Sequence, residues 1–150
     1  MNELLTKDPV AFVAYYSGLT LADFHCDVLY TIDRYTRTAI MLPAGHGKST
    51  LMKWYVIFKI VQNRNVRIIL LMKNQEEVNM YARAIRQELA GNHQLIRDFG
   101  RFAPTGRDAV WSNDSIIVQG RQISEPQPTV LFASSATIDS VLGKRSDIVI

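Results

Sequence analysis

The chain has 150 residues, of which 47% are hydrophobic and 21% charged, with a formal net charge of +3. That is enough apolar material for one domain with a real core, and the scattered Lys and Arg residues form no basic tail. A single cysteine, Cys26, excludes an internal disulfide and a cysteine-based zinc site. Asn2, Glu3, Lys7 and Asp8 interrupt any signal-like apolar opening, and no run is apolar enough to span a bilayer, so a cytoplasmic protein without a membrane partner is expected.

Asp8 and Pro9 read as an N-cap followed by proline at the first helical position, with a helix to about Ser17 and Gly18 as its stop. Thr20 and Asp23 resemble a capping box. Leu21, Phe24, Val28, Leu29 and Ile32 then share one helical face, with Cys26 expected as a small core residue. A strand is expected over 38–42, a helix over 49–61 and a buried strand over 66–72. Asn74 caps a further helix that stops at Gly91, and 93–99 forms a short one. The segments 109–112 and 115–119 read as two strands around an Asn113-Asp114 hairpin turn. A loop over 125–128 leads to an apolar strand over 129–133, and one more strand begins at 146–150. Strand and helix alternating in this rhythm argue for a parallel sheet with helical crossovers.

The segment Leu42-Pro43-Ala44-Gly45-His46-Gly47-Lys48-Ser49-Thr50 carries the chemistry. It lies between the apolar run 39–42 and a helix-forming run, the layout of a phosphate-binding loop. Backbone N–H groups at a helix N-terminus carry partial positive charge, and glycines allow close wrapping around phosphate oxygens. Ala44, Gly45, His46, Gly47, Lys48, Ser49 and Thr50 are therefore the candidate ATP-binding residues. Lys48 would reach the β- and γ-phosphates as the catalytic cation, and Ser49 would ligate Mg²⁺. Leu42 stands where the first glycine of the usual pattern would be, so the match is to a variant. His46, with no ligand partner near it in sequence, is a loop residue and not a metal site.

The expected fold is α/β: a P-loop NTPase-type parallel sheet flanked by helices, with an added antiparallel hairpin, truncated at its end. Residues 1–37 form a helical lead-in and 38–150 the nucleotide-binding core, incomplete at the C-terminus. Phosphate-loop enzymes place an acidic residue at the C-terminal edge of a strand to organise Mg²⁺ and water. The run Ile148-Val149-Ile150 reads as the lead-in to that acid, which would lie beyond the last residue. Asp147 is at the other end of this strand and is not assigned the metal. The chain is thus expected to be a fragment, weak or inactive as an ATPase by itself.

Three stretches together resemble the ATPase domain of phage large terminase subunits, the motors that package DNA. One is Phe24-His25, Arg37 and the loop at 42–50; the second is the strand 66–72 with its following helix; the third runs from Trp111 to Gly120, then 128–133, then Leu142-Gly143-Lys144-Arg145-Ser146-Asp147 and the last strand. Terminases similarly have a histidine-bearing helix, a loop that commonly lacks the first glycine, and a Gly-x-Arg-x-Asp before an apolar strand and two acids. The resemblance covers about residues 20–150 and implies an ATP- and Mg²⁺-dependent motor acting on double-stranded DNA. It also implies a portal protein and a small terminase subunit as partners, a homo-oligomeric ring, and a nuclease domain in the parent. Family members use an arginine from a neighbouring subunit, and Arg145 is the candidate catalytic arginine in trans. Many terminases also place an arginine within the loop, where this chain has Ala44 and His46. Phe24 and Trp111 are candidates for stacking on adenine, with core packing as the alternative.

Two other readings stand beside the terminase. One is a helicase-like P-loop translocase; the other is a non-catalytic assembly module that binds nucleotide structurally. Ser135-Ala136-Thr137 matches a helicase coupling motif but precedes the acidic strand instead of following it, so it reads as a turn or helix cap.

Overall fold

The structure, a computed structural model, describes residues 4–122 and 127–150. Glu125 and Pro126 of the loop expected at 125–128 lie outside the described residues. The chain divides into two compact units, Met1–Gln62 and Asn63–Ile150. The helix that follows the loop therefore groups with the helical lead-in, whereas the sequence reading put that boundary after residue 37.

The first unit is helical. Helix α1 spans Pro9–Ser17, and the Asp8 carboxylate accepts from Val10 N at 2.9 Å and Ala11 N at 3.2 Å. Helix α2 spans Asp23–Arg34 and helix α3 Lys48–Gln62. The expected Thr20–Asp23 capping box is not formed. The helix starts at Asp23, and the His25 ring takes the N–H of the cap residue Ala22 at 3.1 Å. Phe12, Val13, Leu29, Leu51, Trp54, Ile57 and Phe58 make the core, with the Phe12 and Phe58 rings 5.2 Å apart. Tyr55 and Lys59 on α3 both bond Asp33 on α2, the lysine at 2.6 Å. Cys26 is only half-buried, not a core residue.

Residues 38–43 form no strand. Met41 is 94% exposed, and every strand of the sheet comes from residues after Arg67. A strand exists only where a neighbour completes its hydrogen bonds. Apolar character over four residues does not supply that neighbour.

The second unit is α/β with a four-stranded mixed sheet. Its strands are β1 Ile68–Met72, β2 Ser115–Ile116, β3 Val130–Ser134 and β4 Ile148–Val149, in the spatial order β2-β3-β1-β4. β1 runs parallel to β3, Ile68 opposite Val130 through Met72 opposite Ser134, and parallel to β4, Ile68 opposite Ile148. Helix α4, Gln75–Gly91, packs on β1 and β3 through Val78, Ala82, Ile85 and Leu89, and α5 covers His93–Phe99. Asn74 caps α4 as expected, accepting from Glu77 N at 2.9 Å, but Gly91 belongs to the helix and Asn92 ends it.

The hairpin is shorter than expected. β2 is antiparallel to β3, and only a single bridge, Trp111 to Ile116, joins the two arms. The turn is where the sequence puts it, with Ser112 N bonded to Ser115 O at 3.0 Å around Asn113 and Asp114. Among the described residues no non-glycine has positive φ, so this is not the mirror-image turn whose twist matches a long hairpin. The pairing of the arms ends with the bond from Ile117 N to Val110 O at 2.9 Å.

Candidate nucleotide-binding loop

The loop lies wholly in the first unit, at the head of α3. Gly45 and Gly47 both adopt left-handed backbone, φ 78° and 72°. For any other residue type that conformation costs about 1–2 kcal/mol, so the alternating Gly-x-Gly is a geometric requirement here. His46 N approaches Pro43 O at 3.4 Å, and Leu51 N bonds Gly47 O at 2.9 Å as the first turn of α3 closes. The amides that open a helix have no acceptor within it and face outward. Those of Lys48, Ser49 and Thr50 are such amides, and residues 43–50 are all exposed.

Lys48 folds back over the loop, its Nζ 3.3 Å from Leu42 O. An ammonium held by one exposed carbonyl is readily exchanged for a doubly charged phosphate oxygen. Ser49 sits in the first helical turn beside it and Thr50 follows. The residues therefore suit a phosphate chain: two left-handed glycines, outward amides, one lysine. For Mg²⁺ the fit is partial. Ser49 offers one hydroxyl, and among the described residues there is no group of three or more His, Cys, Asp or Glu side chains able to hold a metal.

The loop is also tied sideways. His25 Nε2 lies 3.2 Å from His46 O, and His46 Nδ1 lies 3.1 Å from Ala44 O. Phe24, 37% exposed, makes a tilted contact with the His25 ring at 4.0 Å between centroids and lies 5.9 Å from that of His46. Three rings therefore gather at one flank of the loop. The sequence singled out Phe24, His25 and His46 separately; nothing in their spacing signals that they meet.

The other candidates belong to the second unit. Trp111 is half-buried at the hairpin bridge, its carbonyl accepting from Arg86 Nη1 at 3.1 Å. Ser135, Ala136 and Thr137 form a turn after β3. Thr137 Oγ1 accepts from Ser134 N at 2.9 Å and Ser135 Oγ donates to Lys73 O at 2.9 Å, which bears out the turn expected there; neither side chain caps the short helix that follows.

Arg145 lies just ahead of β4, at the end of the sheet where the parallel strands begin. With Lys144, Arg67, Gln127 and Pro128 it lines a small cavity there. Asp147 is committed to Arg67. Its carboxylate accepts from Arg67 Nη2 at 2.8 Å, Nε at 3.2 Å and the backbone N at 2.9 Å. The hydrogen bonds from Arg67 hold its carboxyl below the usual carboxylate range, against the opposing effect of burial. Sequence reasoning missed Arg121, whose Nη1 donates to the buried Thr129 hydroxyl at 3.0 Å while Nε and Nη2 are buried with no partner among the described residues. Burial there pushes its guanidinium down from its ordinary value, with Arg67 adding to the effect.

No family model, curated protein or solved structure matches the chain. Among the described residues, no helix is long and apolar enough to cross a membrane.

Proposed function

We propose that this chain is the nucleotide-gripping part of a P-loop ATPase, and that its parent is a DNA-packaging motor of the large-terminase kind. The observation that carries the reading is the loop itself: Lys48 folded over Leu42 O, between two left-handed glycines and the open N-terminus of α3. Gly45, Gly47, Lys48, Ser49 and Thr50 would hold the phosphates of ATP through outward amides and one ammonium. Ser49 would contribute a hydroxyl to Mg²⁺, which when bound would neutralise charge on the phosphate oxygens.

The sheet register supports the second half of the reading. Ile150 N bonds Ile69 O at 2.9 Å and Leu71 N bonds Ile150 O at 2.7 Å, so the parallel ladder runs on through Ile150. A residue following it would stand level with Leu71, close to the C-terminal ends of the strands. That is the edge where open α/β sheets bind ligands and where a metal-organising acid is needed. Arg145 stands at the opposite edge, which suits an arginine presented to a neighbouring subunit in a ring of motor subunits on double-stranded DNA. Portal and small-terminase contacts would belong to the assembled motor.

The test is Lys48→Ala, measured first as binding of ATP in the presence of Mg²⁺ and then as ATPase and packaging activity in the parent protein. One charge-assisted contact to phosphate is worth about 1.5–3 kcal/mol, so binding should fall by about one to two decades. Unchanged affinity in the variant, or surviving packaging, would remove the motor reading.

A further inference from the structure

We propose that His25 is a positioning residue for the phosphate loop, acting as a two-ended latch that sets the direction of the loop amides. The proposal rests on the phosphate-loop reading above and adds to it a residue on a different helix, about twenty positions upstream of the loop.

The hydrogen bonds fix the state of the ring. Ala22 N can only donate, so His25 Nδ1, 3.1 Å away, must present its lone pair. The ring proton of the neutral imidazole is then on Nε2, which donates to His46 O at 3.2 Å. One end of the ring caps α2 and the other holds the crown of the loop. The Phe24 ring, packed against it in a tilted contact with centroids 4.0 Å apart, supports its orientation.

The latch matters because a peptide is planar and trans. Among the described residues no peptide bond is cis. Drawing the His46 carbonyl towards α2 therefore turns the N–H of the same peptide, that of Gly47, the opposite way. The next amides, those of Lys48 and Ser49, follow from the left-handed backbone of Gly47 and the start of α3. The ring also occupies the space beside position 47: a Cβ built there would lie 3.4 Å from His25 Nε2. His25 thus sets the peptide plane at the centre of the loop without needing to touch the ligand, while the left-handed φ of 72° keeps position 47 a glycine.

A latch on the loop backbone acts on the phosphate chain alone, whereas a ring contacting the base would act on the nucleoside. Inorganic tripolyphosphate separates the two, because it has no base. The experiment compares binding of ATP and of tripolyphosphate, each with Mg²⁺, to the parent chain, His25→Phe and His25→Gln. Phenylalanine keeps the flat ring and loses both hydrogen bonds; glutamine can accept from Ala22 N and donate to His46 O. His25→Phe should weaken both ligands equally, by about three- to tenfold, the worth of one neutral hydrogen bond, and His25→Gln should recover most of that. Loss for ATP with none for tripolyphosphate, or no loss for either, overturns the latch.

A nitrogen-15 spectrum of the histidine rings supplies a readout independent of binding. It should show His25 protonated on Nε2 and bare on Nδ1, and His25→Gln should leave the Gly47 amide signal nearer its parent position than His25→Phe does. The opposite tautomer, or a Gly47 amide indifferent to both variants, overturns the proposal. If the parent chain binds neither ligand, the phosphate-loop reading fails, and the ring spectrum still decides whether the latch exists.

Discussion

Replacing Arg64 should destabilise the second unit, because its guanidinium ties together three segments of that unit. Arg64 Nη1 donates to Arg101 O at 2.8 Å and Gln119 O at 2.6 Å, and Nη2 donates to Phe99 O at 2.6 Å. The guanidinium also lies over the Phe102 ring, 4.4 Å from its centroid. Hydrogen bonds from a charged donor are worth about 1.5–3 kcal/mol each, and an exposed cation–π contact about 0.5–1 kcal/mol. The sum is not reached, for three reasons. Burial of the charge opposes it, pushing the guanidinium below its ordinary value, and contacts sharing one side chain are not additive. Water can also reach some of the carbonyls, which lie on exposed or half-exposed residues. A net loss of about 2–3 kcal/mol is expected for Arg64→Met. Arg64→Lys should lose about half of that, because one ammonium cannot match three carbonyls with a planar fork. The assay is denaturant unfolding in a Trp54→Phe background, so that Trp111, the other tryptophan, reports on the second unit alone. A loss below about 1 kcal/mol for Arg64→Met, or an Arg64→Lys variant as stable as its parent, would refute the reasoning.

Three further outcomes are expected. Gly47→Ala should destabilise the loop by about 1–2 kcal/mol, because φ is 72° and the new Cβ would meet His25 Nε2 at 3.4 Å; amide exchange at residues 45–50 would show faster opening. Gly91→Ala should do the reverse: Gly91 is helical, with no atom within 4 Å of an added Cβ, so a gain of about 0.5–1 kcal/mol is expected in thermal unfolding. The Asp147 carboxyl is lowered in the folded state. Its contribution is therefore fully present above the unfolded pKa of about 3.9 and is lost as pH falls through the folded value. With the Asp147 side chain 44% exposed, screening keeps that contribution under about 1 kcal/mol. Asp147→Asn should flatten the acid limb of a stability–pH curve, and an unchanged limb would mean the Arg67 pair adds nothing.

What the sequence discloses here is local chemistry. Asp8, Pro9 and Gly18 bracket α1 because a cap acts within three residues of itself. The same holds for Asn74 at α4. β1 and β3 announce themselves as apolar runs because consecutive residues are buried, Ile68, Ile69 and Leu70 in the one and Phe132 and Ala133 in the other. Where a partner distant in sequence decides, the pattern misleads. The apolar run 39–42 resembles a strand but forms none. α2 begins at Asp23 because an imidazole serves as its cap acceptor, which no propensity scale encodes. The hairpin is short because of the sign of φ at its turn, which the residues Asn113 and Asp114 leave open. Within the candidate site, Gly45, Gly47, Lys48 and Ser49 are legible from spacing alone. The hold of His25 on the loop is not, since its partner is 21 residues away. Arg64 is invisible for the same reason, its acceptors lying 35, 37 and 55 residues along the chain.

The grip of Arg67 on Asp147 has a consequence at the far end of its strand. Successive side chains in a strand point to opposite faces, so a slip of one residue inverts every one of them. β4 is ruled from outside by only a few ladder bonds to β1, too few to fix its phase firmly by themselves. A two-toothed guanidinium fork at the foot of the strand supplies the missing index mark. It settles that Ile148 and Ile150 look one way and Val149, 58% exposed, the other. An ion pair on the rim, worth little as an adhesive, works as a ratchet pawl: it decides which face of the sheet each later position serves.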